Sequence, residues 1–296
     1  MMRPAFNLWL IMAAFTVLDA CEKEPEPQPE VPVEIPDPNF LQALIDLGVD
    51  TDEDSLISTS EAEAFRELQL WEKNISDMTG IGAFVNLETL GCGLNQLTSL
   101  DISGCSALKT LSCSENQLSS LDVSNNTALE TLWCAGNLLT GLDLSANTVL
   151  VEVGCMENGL STLDISANTS LEILHVEDNQ LTAMDLTHNP SLLEFYLSKN
   201  QLTAIDMTHN PYLVEVYLSG NLLSSLDVSQ NTALTVLDCS ENQLTSLDVS
   251  ANTNLYDLYV KKMPSLYEIC VWELPIPFYA YTFGSPNVQF TDKCSQ

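Results

Sequence analysis

From Phe84 onward the chain repeats itself every 21 residues without slippage, and no other feature restricts its possible folds as tightly. Leucine recurs at Leu87, Leu108, Leu129, Leu150, Leu171, Leu192, Leu213, Leu234 and Leu255. Three residues later come Leu90, Leu111, Leu132, Val153, Leu174, Phe195, Val216, Leu237 and Leu258. Asparagine follows at 95, 116, 137, 158, 179, 200, 221 and 242, and residues 68–81 fit as an earlier, degenerate turn. A unit this short cannot bury its apolar side chains alone, so it must stack on its neighbours into a solenoid. Each buried leucine contributes roughly 1.5–3 kcal/mol. The asparagines stand where the chain leaves its strand, and their amides suit the backbone groups of the bend. Each turn also nearly repeats at half length, LxxLxCxxN and then LxxLDVSxN. That pattern predicts two strand-like segments per turn and two parallel sheets.

The motif LxxLxCxxNxLxxL at this period resembles the leucine-rich repeats. The likeness is strongest to the bacterial 21-residue subclass, at residues 108–128 and 234–252. It implies a leucine-rich repeat solenoid over 68–262, with a helical cap at 39–67 and an irregular cap at 263–296. It says little about function, because such scaffolds carry many binding roles.

The repeat accounts for most of the cysteines. Cys92, Cys113, Cys134, Cys155 and Cys239 take the inward position that Val176, Leu197 and Leu218 fill elsewhere, and read as small core residues. A metal or disulfide ladder is the alternative, but in-register parallel neighbours have Cβ vectors that point alike and strain any bridge. Cys270 and Cys294 lie beyond the last clear repeat, among aromatic and proline residues. They are expected to pair as a disulfide outside the cytosol.

Forty-one acidic residues against 9 basic ones give a formal charge of −32. Phosphate backbones are repelled by such a chain, which excludes nucleic acid as a partner. With 45% hydrophobic and 17% charged residues, the chain is not a disordered acidic polymer either.

At the N-terminus, Arg3 precedes an apolar stretch from Ala5 to Leu18 that is too short to span a bilayer and matches a signal-peptide core (residues 1–20). It ends in Leu18-Asp19-Ala20-Cys21, which resembles the lipobox of bacterial lipoproteins and implies acylation at Cys21. Asp19 stands where a small or uncharged residue is usual, and an ordinary secretory cut nearby is the alternative. Glu22-Lys23-Glu24 resembles the export signal of surface lipoproteins in Bacteroidetes-type bacteria. Residues 21–38 are proline-rich and acidic, an extended spacer between a lipid anchor and the folded part. The expected location is therefore the outer membrane and the cell surface, with the membrane touched only through the lipid.

Between two short helical patterns (Phe40 to Val49 and Glu61 to Leu70), Asp50, Asp52, Asp54 and Glu61 fall at positions 1, 3, 5 and 12 of a loop. Leu56 offers a backbone carbonyl and Ser58 a hydroxyl. This is EF-hand spacing, and Ca²⁺ is the expected ion. Ser55 occupies the sharp bend where glycine is usual, and positive φ there costs roughly 1 kcal/mol. The alternative is a solvated acidic turn.

Outward positions of the first sheet read Gly91, Ser112, Trp133, Gly154, His175, Tyr196, Tyr217, Asp238 and Tyr259, with Glu152, Glu194 and Glu215 two residues before three of them. Nothing in the scaffold requires aromatic residues there. The column suits a glycan or a protein ligand held by Trp133, Glu152, His175, Glu194, Tyr196, Glu215, Tyr217 and Tyr259. Cross-strand pairing that merely stabilises the sheet is the other reading. A second column runs from Asp101 through Asp122, Asp143, Asp164, Asp185, Asp206 and Asp227 to Asp248. Neighbouring serine and threonine hydroxyls are expected to bond it, with cation binding as the alternative. His188 and His209 read as surface turns. No nucleophile–base pair, phosphate loop or zinc motif is present, so catalysis is not expected. The chain reads as a monomeric binding protein, with a glycan hydrolase using Glu152, Glu194 or Glu215, or a surface-coat protein, as alternatives.

Overall fold

A computed structural model describes residues 31–294. The signal peptide expected over 1–20, the acylation site Cys21 and the linker up to Glu30 lie outside the described residues.

The described chain opens on a cap of two helices, α1 (Pro38–Asp46) and α2 (Thr59–Ala64). Asp37 caps α1, accepting N–H bonds from Asn39 and Phe40, and proline at the first helical position is pre-set for the helix. Ser58 and Glu61 form a reciprocal capping box on α2. The spacer expected to run to residue 38 is already docked from Val31: Pro32 bridges Ser58, and Val33 N–H donates to the Ile57 carbonyl. The alternation of Val33 and Ile35 against the core explains why, since both lie half-buried on it. Proline content alone had masked that alternation.

Three-residue strands then follow turn by turn. They are β1 (Glu67–Gln69), β2 (Thr89–Gly91), β3 (Thr110–Ser112), β4 (Thr131–Trp133), β5 (Glu152–Gly154), β6 (Ile173–His175), β7 (Glu194–Tyr196), β8 (Glu215–Tyr217), β9 (Val236–Asp238), β10 (Ser246–Asp248), β11 (Asp257–Tyr259), β12 (Glu268–Cys270), β13 (Tyr279–Tyr281) and β14 (Gln289–Thr291). An 11-stranded parallel sheet runs β1 to β9, then β11 and β13. Its register equals the sequence period, for example Leu111 opposite Leu132. The central residue of each strand points into a continuous core of leucine, valine and cysteine.

Two sets of asparagines hold consecutive turns together. Asn116 donates from Nδ2 to the carbonyls of Cys92 and Cys113, and its Oδ1 accepts the Leu97 N–H. Seven residues in a second column, Asn126, Asn147, Asn168, Asn189, Asn210, Asn231 and Asn252, are fully buried. Each donates to two backbone carbonyls, as Asn168 does to Leu144 and Asn147. Cys105 opens that column and bonds the Ile81 carbonyl instead. Each turn also spends one residue in the left-handed region just before the first asparagine: Leu94, Glu115, Glu157, Asp178, Lys199 and Glu241 do so with φ between 52° and 56°.

The second sheet is regular only at its C-terminal end, where β10, β12 and β14 pair. Between Asp227 and Asp248 a single bridge remains. Charge explains the difference. Aspartates one strand apart repel each other, and full pairing begins where the column passes to Cys270 and Thr291. The strand pattern also runs on through the segment 263–296: Tyr259 faces Tyr281 across one longer turn. Its prolines and the altered turn length hid this in the sequence.

Candidate binding face

The outward column becomes two stacks of rings. Parallel strands in register place like positions about 4.8 Å apart, which is stacking distance for aromatic side chains. His175 and Tyr196 lie 4.1 Å apart and nearly parallel, Tyr196 and Tyr217 lie 4.7 Å apart, and Trp133 reaches His175 at 5.3 Å. Trp133 and His175 are two turns apart, and the indole spans the gap by lying over Gly154, where an added Cβ would collide with it. Trp71 covers Gly91 and Gly93 in the same way. Tyr259 belongs to a separate stack with Tyr281, at 4.4 Å.

The acids of this face sit among the rings. Tyr196 Oη lies 3.2 Å from Glu194 Oε2 and 3.1 Å from Glu215 Oε2, and the Tyr217 hydroxyl lies 3.4 Å from Glu215. One phenolic proton cannot fully serve two carboxylates, so the cluster keeps excess negative charge. Burial, then the Glu215 charge, pushes the Tyr217 phenol up to about 12, and burial with both glutamates raises Tyr196 as well. His175 Nδ1 lies 3.5 Å from Glu177. Glu152 stands beside this group on β5, opposite Ile173. Few cations answer these charges: Arg66 and Lys109 pair with Glu88, Lys199 with Asp178, and Lys262 with Glu241.

Seven of the eight residues expected on the face thus form one neighbourhood, and Tyr259 stands across Asp238 from it. Trp71 and Tyr281 were not foreseen. Tyr281 was legible only by allowing one turn of 22 residues; in the degenerate first turn the outward column gives Gln69, opposite Gly91, and Trp71 lies two residues beyond it.

In the cap loop, Asp50, Asp52 and Asp54 each bring a carboxylate oxygen within 4.8 Å of the others. Asp50 accepts N–H bonds from Asp54 and Ser55, and Asp54 accepts from Leu56. Ser55 has φ +68°, the conformation its loop position demands. Glu61 uses both oxygens on protein donors: Thr51 N–H and Oγ on one side, Ser58 N–H and Oγ on the other. The three aspartates suit a hard cation, while Ser58 and Glu61 would have to release these bonds to join it.

On the opposite face each ladder aspartate accepts from the residue two positions on, as Asp185 does from Thr187 N–H and Oγ1. Those bonds hold the Asp185 carboxyl below its ordinary range. His188 and His209 are exposed in their turns. Cys270 and Cys294 are joined as a disulfide with Cα atoms 5.5 Å apart, and the six free cysteines among the described residues are buried. Burial pushes the Cys113 and Cys155 thiols up to about 12.

No protein-family profile and no curated protein matches the chain. Among solved structures it is similar to the functional domain of InlJ from Listeria monocytogenes, described as including a cysteine ladder. Identity is 31% and the TM-score 0.70, over 79% of this chain and 57% of that one. The chain folds as a leucine-rich repeat solenoid. This leucine-rich repeat chain is also similar to YopM from Yersinia enterocolitica, with 27% identity and a TM-score of 0.62 over 79% of this chain and 49% of that one. A leucine-rich repeat protein of Leptospira interrogans shares the fold at 21% identity and a TM-score of 0.62, over 78% of this chain and 79% of that one. The chain spans just over half the length of the InlJ domain. Among the described residues of this leucine-rich repeat chain, no helix is long and apolar enough to cross a membrane.

Proposed function

We propose that this chain is an exported, lipid-anchored recognition protein that binds a protein partner on the face running from Trp133 to Tyr259. One observation carries the choice of protein over glycan. Sugar stacking needs a free ring face, yet Tyr196 has His175 on one face and Tyr217 on the other. What remains outward between His175 and Tyr217 is mostly a row of ring rims, phenol hydroxyls and carboxylates, with free ring faces left only at the ends of the stacks, a surface of the kind protein interfaces use. The hydrolase reading asks for two carboxylates free to act on a bound glycosidic bond, whereas Glu194 and Glu215 both face the Tyr196 hydroxyl on the open surface of the sheet. Anchoring rests on Cys21, and Ca²⁺ at Asp50, Asp52 and Asp54, with the Leu56 carbonyl, Ser58 and Glu61, would brace the cap from which the solenoid starts.

A combined array of surface proteins and glycans, probed with the wild-type chain and a Trp133/Tyr196/Tyr217→Ala variant, tests the reading. Protein ligands bound by the wild type and lost by a folded variant are expected. Glycan ligands alone, or equal binding by both chains, would overturn it. Incorporation of a fatty-acid analogue, abolished by Cys21→Ser, tests the anchor.

A further inference from the structure

The aromatic stripe is interrupted once. Tyr217 lies opposite Asp238, and Asp238 opposite Tyr259. The far side of Tyr217 is covered by Tyr196 and the far side of Tyr259 by Tyr281. One ring face from each stack therefore looks toward the same strand position, and the side chain there is only an aspartate. Two strand spacings put the rings roughly 10 Å apart, so a group midway lies about 5 Å from each. Cations are held by rings at distances up to about 6 Å.

The floor and flanks of this slot are acidic. Asp238 is fixed by the Ser240 N–H at 2.9 Å on Oδ1, and no described residue donates to its other oxygen. Two residues back on the neighbouring strands, Glu215 and Asp257 stand on either side of Val236, and Asp257 Oδ1 is buried without a hydrogen-bond partner. The chain's own Lys261 shows that Tyr259 takes a cation, because its ammonium rests 4.6 Å from that ring centre and 5.4 Å from that of Tyr281, beside the stack and outside the slot.

We propose that the slot over Asp238, walled by Tyr217 and Tyr259, is a subsite that receives an arginine side chain from the protein partner. The proposal rests on the reading of this face as a protein-binding surface. Arginine fits better than lysine: its planar guanidinium stacks between two rings while its edge forks onto a carboxylate.

The experiment titrates labelled tetra-arginine and tetra-lysine peptides into the wild type, Asp238→Asn and Asp122→Asn. The amide oxygen introduced by Asp238→Asn can still accept the Ser240 N–H, and Asp122→Asn makes the same charge change on the opposite face. Preference for the arginine peptide is expected, weakened about tenfold by Asp238→Asn and little changed by Asp122→Asn. No binding, equal binding of the two peptides, or equal losses in the two variants would overturn the subsite. The array separates this from the broader reading. A protein ligand lost by the Trp133/Tyr196/Tyr217→Ala variant yet kept by Asp238→Asn leaves the face as the binding surface and removes the arginine slot.

Discussion

The imidazole of His175 lies flat on the phenol of Tyr196, with ring centroids 4.1 Å apart and planes 9° from parallel. Tyr196 is thus stacked on both faces, while its hydroxyl lies between Glu194 and Glu215. Tyr196→Ala, which removes two stacked pairs, is expected to cost about 1–3 kcal/mol. Tyr196→Phe keeps both pairs and should stay within about 1 kcal/mol of the wild type. Urea unfolding monitored by tryptophan fluorescence reads both, and an unchanged midpoint for the alanine variant would show that the stack carries no stability.

Asn168 is fully buried and donates to the Leu144 carbonyl at 3.1 Å and the Asn147 carbonyl at 2.9 Å. Asn168→Ala strands both acceptors, at a cost of about 2–4 kcal/mol. Each turn touches only its neighbours, so hydrogen exchange should accelerate around residues 144–190 before it does at the ends of the sheet. Uniform acceleration would argue that the solenoid unfolds as one unit.

Glu157 has φ +53°. Left-handed backbone costs a residue with a Cβ about 1–2 kcal/mol, partly offset by the greater unfolded freedom of glycine. Glu157→Gly should therefore raise stability by about 0.5–1 kcal/mol. Gly220→Ala, at φ +71°, should lower it. Denaturant midpoints that move the opposite way would refute the strain argument.

Acid should loosen the N-terminal cap. Burial works to raise Asp37, but bonds from Ser76, Phe40 and Asp77 outweigh it and hold its carboxyl at about 2, against an ordinary 3.8. Glu61 is also raised by burial, and its bonds from Ser58 and Thr51 bring it to about 2, against 4.5. Both folded values are depressed, so the stabilisation is complete above the ordinary values and is lost as pH falls from 4.5 toward 2. Limited acid proteolysis should cut the 50–61 loop in that window, and Asp37→Asn should flatten the response.

Ser55→Gly relieves a bend at φ +68° and should tighten calcium binding by the cap, while Asp52→Asn should weaken it. Calorimetric titration of the whole chain with Ca²⁺ decides. Absence of heat in the wild type and in Ser55→Gly alike would remove the ion from this loop.

The inward leucine and cysteine columns, the first asparagine column and the outward placement of Trp133, His175, Tyr196 and Tyr217 were all legible, because each depends on a position fixed by the period. Features that depend on contacts between columns were not. Asn126 and its equivalents tie two turns together through their amides, a contact that the period alone does not specify. Trp133 reaching past Gly154 to His175 is a side-chain conformation that no spacing encodes. Asp238 is one more outward position in the period, and only the stacks on either side of it make that position a slot.

The unbroken register has an evolutionary consequence. A recombination joining Asn137 to Gln180 would delete two complete turns, leave every asparagine and leucine column continuous, and set Trp133 directly beside Tyr196. Unequal crossing-over within such a gene therefore shortens, lengthens or reorders the outward residues as whole units. New recognition surfaces can arise by shuffling alone, without a single core substitution.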